Sequence, residues 1–233
     1  MRGPRTGKWV AAAAAWALLS PLAAPESAAQ SWLRGAMVVE HVEGEVSLRQ
    51  VGEGEVARGS LRTPFYVSTL LQVRSAEGGE TLARMSNGFV WLHRGSGYLG
   101  VERFEQAVER DPAAGKGAGD GGVPELAGTG ETRMILNFRR GLLVLDARSR
   151  REASQILVET PVGGVSVGAG VLIIRIDVNR RRRIYDFAIA CVDGTVRFRD
   201  RRGAEYAVRA GQRLSGAGSA GSPAIEVASV SEN

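Results

Sequence analysis

From Met37 onward the chain is a succession of short apolar runs broken by Gly, Pro, Asn and Asp, with few stretches long enough for a helix. That pattern predicts β-strands at VSLR (residues 46–49), TLLQVR (69–74), TLARM (81–85) and FVWLHR (89–94), and later at RMILNF, GLLVLDAR and QILVETP. Between the third and fourth runs, Ser86-Asn87-Gly88 is a hairpin signal, because Asn and Gly tolerate the positive φ of tight turns. ERFEQAVERD (102–111) is the one place where the spacing suits a short helix. The Gly-rich stretch 112–131 has almost no large apolar residue and reads as a mobile loop inserted within one domain.

Two runs near the C-terminal end alternate cleanly. In VLIIRIDV, Leu172, Ile174, Ile176 and Val178 share a face while Arg175 and Asp177 take the other, and in IYDFAIACV the shared face holds Tyr185, Phe187, Ile189 and Cys191. Joining these half-buried strands across residues 179–183 gives a β-hairpin whose tip carries Arg180, Arg181, Arg182 and Arg183. A tip is polar because its backbone faces water, so a solvated turn accounts for four arginines as readily as an anion-binding contact does. In the following strand Val196 and Phe198 point inward, leaving Arg197 and Arg199 outward. The segment 215–233 is rich in Gly, Ser and Ala and reads as a disordered tail, apart from a weak apolar run at 225–230.

Composition narrows the setting. Across 233 residues the hydrophobic fraction is 44%, enough for a buried core, and the net charge is +5. Lys8 and Lys116 are the only lysines, so nearly all the positive charge is arginine. Residues 1–29 read as a secretory signal peptide: Arg2, Arg5 and Lys8 precede an apolar stretch that ends at Ser20-Pro21, and Ser27-Ala28-Ala29 resembles a cleavage site. The apolar stretch falls short of the roughly 20 residues a spanning helix needs, and no later segment could span as a helix. A secreted chain permits disulfides, yet Cys191 is the only cysteine, so stability must come from packing.

Candidate chemistry is sparse. Gly164-Val165-Ser166-Val167-Gly168 matches the pattern of a hydrolase nucleophile elbow, but a strand follows where that motif needs a helix, and both histidines, His41 and His93, lie upstream of the serine. The histidines are isolated from each other and from Cys191, so no metal site and no cofactor is expected. A carboxylate pair for glycoside chemistry meets only in space, and no pair stands out in the sequence. Nucleic acid is disfavoured as a partner of the arginines, because only Tyr185 lies beside the tip to stack on a base. A protein face or an anionic envelope polymer suits the bidentate geometry of arginine better.

Thr160-Pro161, Gly168-Ala169, Asp193-Gly194-Thr195-Val196 and Ala210-Gly211-Gln212 follow one another in an order that resembles the FecR domain, the periplasmic domain of iron-dicitrate sensor proteins. VEGEVSLR resembles that family's opening strand, and LNFRRGLLVLDAR the strand before Thr-Pro, so the likeness covers residues 37–214. It departs where Gly168-Ala169-Gly170 replaces Gly-Thr, and in the length of the 112–131 loop. The resemblance implies an all-β FecR-like β-sandwich or β-roll of short antiparallel strands after a lead-in at 30–36. It also implies a non-catalytic module that contacts a protein partner, as family members contact the signalling domain of an outer-membrane transporter.

The expected binding residues are Arg180, Arg181, Arg182, Arg183, Arg197 and Arg199, while Thr160, Pro161, Gly168, Asp193, Gly194 and Gly211 specify turns. The expected location is the periplasm or the exterior. The alternatives are a secreted hydrolase of envelope glycans or esters, acting through Ser166 or a carboxylate pair, and a FecR-type sensor anchored by an uncleaved N-terminal segment.

Overall fold

A computed structural model describes residues 31–229 apart from 62, 68–69, 109–130, 152 and 220–221. The signal-peptide reading and nearly all of the Gly-rich loop therefore lie outside the described residues. Those described form an all-β structure with no helix. Seven strands come first: β1 (Ser31–Arg34), β2 (Met37–Glu43), β3 (Val46–Gln50), β4 (Gly54–Arg58), β5 (Phe65–Val67), β6 (Leu71–Ser75) and β7 (Glu80–Met85). Then come β8 (Val90–Val108), β9 (Thr132–Asp146), β10 (Gln155–Glu159), β11 (Gly163–Asn179), β12 (Ile184–Asp200), β13 (Glu205–Arg209), β14 (Gln212–Ser219) and β15 (Ser222–Ser229).

Four of these, β8, β9, β11 and β12, are far longer than the short strands expected, at 19, 15, 17 and 17 residues. Their length has a geometric cause. Each begins in one half of the sheet, bends at glycine, and continues in the other. In the first half the order is β5-β2-β7-β8-β9-β11-β12-β14-β15, all antiparallel, using residues 90–94 of β8, 141–146 of β9, 171–176 of β11 and 185–191 of β12. In the second the order is β4-β3-β6-β8-β9-β10-β11-β12-β13, with β1 added along the end of β8. Here β10 runs parallel to β9, because β9 crosses into the first half before residues 147–154 bring the chain back. Hydrogen bonding is thus continuous through one mixed, open sheet.

Bending places the inner faces of the two halves against each other. Buried side chains from both form a single core that includes Trp91, Leu143, Ile174 and Phe187 from the first half and Leu99, Leu136, Phe138 and Phe198 from the second. Ring contacts cross between them: Phe187 meets Phe198 at 5.6 Å and His93 meets Phe138 edge-on at 5.9 Å. Strands that change layer at bulges or bends make the corners of such sandwiches. At one corner Gly97 of β8 lies so close to β9 that a Cβ there would stand 1.9 Å from the Arg140 carbonyl oxygen. At the other, Gly194 (φ 83°) of β12 faces Gly170 of β11, and a Cβ would stand 1.8 Å from the Ala169 carbonyl oxygen.

Three local expectations are corrected. Residues 102–108 extend β8 instead of starting a helix: Phe104, Ala107 and Val108 have helical spacing, but pairing with β1 and with residues 132–135 of β9 supplies the backbone partners that an isolated short helix lacks. The Gly/Ser-rich tail forms most of β14 and β15. Gly216 serves packing, since a Cβ there would stand 2.6 Å from the Phe187 ring. Asp193-Gly194 is a bulge within the continuous strand β12, and Gly168 lies within β11 at the same irregularity, where tight turns were expected. Elsewhere the inward faces are as read: Leu172, Ile174, Ile176, Phe187, Ile189, Cys191, Val196 and Phe198 are buried, with Val178 and Tyr185 partly buried against the core near the tip.

Candidate functional site

The β11–β12 ladder closes at Asn179 and Ile184, leaving Arg180, Arg181, Arg182 and Arg183 as the tip. The Asn179 side-chain oxygen accepts a hydrogen bond from the Arg182 N–H at 3.1 Å, and Arg183 takes a left-handed φ of 55°. Such an Asx-stabilised turn holds the arginine backbone in one shape while all four side chains remain exposed. Arg180 turns back onto the body of the protein, where the first corner has gathered other arginines.

There the end of β6, the bend of β8 and the centre of β9 bring Arg74, Arg139 and Arg140 to a cleft of about 480 Å³ that Arg180, Tyr98 and Tyr185 complete. No carboxylate lines it. Among the described residues none of these four arginines has a carboxylate within ion-pair distance. Burial, and after it the charge of Glu102, push the Tyr98 phenol above its ordinary value against the pull of Arg74 and Arg139, so its O–H remains a donor at neutral pH. A second cleft of about 710 Å³ shares Arg140, Ser96 and Arg180 with the first. The two arginines it does not share are compensated: Arg175 pairs with Asp177 at 2.8 Å, Arg94 pairs with Glu80 at 3.4 Å, and Glu77 lies in the wall.

The cleft floor is held from beneath by a buried imidazole. His93 Nδ1 lies 3.4 Å from Ser75 Oγ and Nε2 lies 3.4 Å from the Arg140 carbonyl oxygen, while Ser75 Oγ donates to the Gly95 carbonyl at 2.6 Å. Burial holds the His93 pKa below its ordinary value, opposed in part by the Arg140 carbonyl. His93 is thereby a packing and hydrogen-bonding residue of the corner.

The expected binding residues do not form one surface. Arg197 and Arg199 lie towards the opposite end of β12, beyond the Gly194 bulge, on a cleft of about 620 Å³ with Glu159, Ser166, Arg201 and Glu205. Arg199 is engaged there: its guanidinium donates to Glu205, with Nε at 2.9 Å, and holds that carboxyl below the usual range. Arg201 Nε donates to the Pro161 carbonyl at 2.6 Å, tying the β10–β11 turn to the end of β12. Within that turn Thr160 Oγ1 donates to the Gly163 carbonyl at 2.7 Å and accepts from the N–H groups of Val162 and Gly163. Gly168 lies at the second corner against Thr195, and Gly211 (φ 74°) turns the chain between β13 and β14.

Ser166 is an exposed mid-strand residue paired with Leu157 and Arg197, away from any strand-to-helix turn. His41 lies on the exterior, 3.6 Å from Glu43. Cys191 is buried, donates to the Asp193 carbonyl at 3.3 Å, and has its thiol pKa raised by that burial. Among the described residues no three His, Cys, Asp or Glu side chains come together as a metal site. Arg74, Arg139 and Arg140 escaped the sequence reading. The signal available for two of them was an arginine pair directly before Gly141, flanked on both sides by apolar residues.

Fold and cleft together define an open, bent all-β sheet protein with an arginine-lined cleft at one corner. Two crystal structures of a candidate anti-sigma factor from Parabacteroides distasonis ATCC 8503 are similar to it. The first is 12% identical, with a TM-score of 0.45 over 69% of this chain and 60% of that one. The second is 11% identical, with a TM-score of 0.44 over 68% and 59%. The chain thus spans about three-fifths of the length of the solved structures it matches. No family model and no curated protein matches the chain, so the FecR likeness stands on its motifs alone.

Proposed function

We propose that this protein is a non-catalytic binding module of the cell envelope, located in the periplasm or outside the cell, that contacts an anionic protein face or envelope polymer in the FecR manner. One observation carries the reading. Arg180 of the hairpin joins Arg74, Arg139 and Arg140 around a cleft that no carboxylate lines. Like charges held together without a counter-charge are a standing cost that an anionic partner relieves, and guanidinium forks match carboxylate and phosphate oxygens.

The test is capture from the native envelope by crosslinking, with tagged wild type and a variant in which residues 180–183 are alanine, followed by identification of what each retains. Wild type is expected to hold a partner that the folded variant loses, with a flatter dependence of affinity on salt in the variant. Equal affinity and equal salt slope in the two proteins would reject the hairpin as the contact.

A further inference from the structure

We infer that the cleft at the base of the hairpin is a diphosphate site, taking an ester with two linked or adjacent phosphate groups whose organic part lies against Tyr98 and Tyr185. The inference rests on the reading above that the arginine face binds anions, and it adds the ligand's class and size.

Charge comes first. Four guanidinium groups border a cleft of about 480 Å³ without a lining carboxylate. A phosphate monoester carries about −1.5 to −2 near neutral pH, so one phosphate leaves roughly half of this charge unmatched and two come close to balancing it. Carboxylates carry one charge each, and a simple mono- or dicarboxylate falls short.

Extent comes second. A long polyanion needs a track of unpaired cations, and the neighbouring cleft that shares Arg140 and Arg180 with this one has its remaining arginines, Arg94 and Arg175, tied to Glu80 and Asp177, with Glu77 beside them. On that side the uncompensated charge ends, and Arg181, Arg182 and Arg183 lie out on the exposed tip, which favours a compact ligand held in the cleft over a chain laid along it. Shape comes third. Half-buried Tyr98 and Tyr185 give the same cleft two aromatic surfaces, Tyr98 adds a protonated hydroxyl, and the contact of Gly97 with Arg140 above His93 presets the floor. A diphosphate ester could be a soluble metabolite or the headgroup of a lipid, and both present the same anion.

The test is calorimetric titration of the folded protein with inorganic pyrophosphate and with orthophosphate, for wild type, R74A/R139A and R181A/R182A/R183A. Arg74 and Arg139 are exposed, so matching circular dichroism and melting curves are expected to show that the double variant folds. Pyrophosphate is expected to bind wild type at least about tenfold more tightly than orthophosphate, to lose about tenfold or more in the cleft variant, and to hold its affinity in the tip variant.

Equal affinity for the two anions, or equal loss in the two variants, would overturn the diphosphate assignment. Should the tip variant lose an envelope partner while pyrophosphate binding is absent throughout, the binding-module reading stands and this inference fails. Co-sedimentation with vesicles containing a diphosphate-headgroup lipid, competed by pyrophosphate, would support the site with a lipid source. Pyrophosphate binding without co-sedimentation would support it with a soluble one.

Discussion

The two glycine corners lend themselves to a quantitative test, because three glycines separate backbone strain from close approach. Gly203, in the turn between β12 and β13, has φ +89° and nothing within 4 Å of a would-be Cβ. Gly203→Ala therefore isolates the cost of a left-handed backbone, about 1 kcal/mol. Gly97 has no positive φ, but its Cβ would stand 1.9 Å from the Arg140 carbonyl oxygen, an atom fixed in the β9 backbone. To restore ordinary contact, β8 and β9 must part by roughly 1.5 Å at the point where both change layer, which disturbs the core contacts of His93 and Phe138 on either side. Gly97→Ala is expected to cost more than about 4 kcal/mol, in the exceptional range for a single substitution. Gly194 combines both penalties, with φ +83° and 1.8 Å to the Ala169 carbonyl oxygen, so Gly194→Ala should cost the most or prevent folding. Urea unfolding followed by the fluorescence of buried Trp91 and its fellows measures all three, with the slope checked for a change in the unfolded state. If Gly97→Ala cost no more than Gly203→Ala, the close crossing that bends the sheet into two layers would be wrong.

Two further outcomes follow from single side chains. His93 is neutral and buried, with a folded-state pKa below the ordinary 6.5. The unfolded chain takes up the proton first as pH falls, so stability should be full above pH 6.5, drop by at most about 1.4 kcal/mol per pH unit below it, and level off past the folded pKa. The slope difference between wild type and His93→Gln, from unfolding curves at several pH values, measures this, and identical slopes would contradict it. Thr160→Val strips the Val162 and Gly163 N–H groups of their shared acceptor and should cost about 1–3 kcal/mol, whereas Thr160→Ser should recover most of it. Equal stability of the Val and Ser variants by denaturation would dismiss the turn as a source of stability.

Much of the strand content was legible because period-two alternation is a local property. The inward residues in the second part of β11 and along β12 could be named from spacing alone, since a strand's faces are set by backbone geometry and need no knowledge of the partner, whereas buried Val165 and Val167 went unread. The hairpin tip was equally local: two alternating runs separated by polar residues leave few other connections. The helix expected at 102–111 failed for the complementary reason. Its apolar spacing suits either element, and the choice was made by free strand edges of β1 and β9, contributed by residues far away in sequence. Likewise the weak apolar signal of 215–229 concealed strands, because an edge element can gain its order from the backbone of its neighbour.

The candidate site shows the same division. The arginine hairpin and the outward positions of Arg197 and Arg199 could be read from the chain, yet their mutual distance could not, because it depends on the bulge at Gly194 and on which sheet half each end of β12 enters. Arg74, Arg139 and Arg140 lie on strands that have no sequence proximity to the hairpin. They meet Arg180 only because β8 and β9 bend at Gly97 and Gly141 beside the point where the tip folds back. By itself, then, the sequence determined an all-β chain, its buried faces and an arginine-tipped hairpin, all of them consequences of local periodicity. Only the tertiary structure decided that long strands pass between two layers, and that the arginines of three distant segments share one cleft, since convergence of charge is a property of where strands cross.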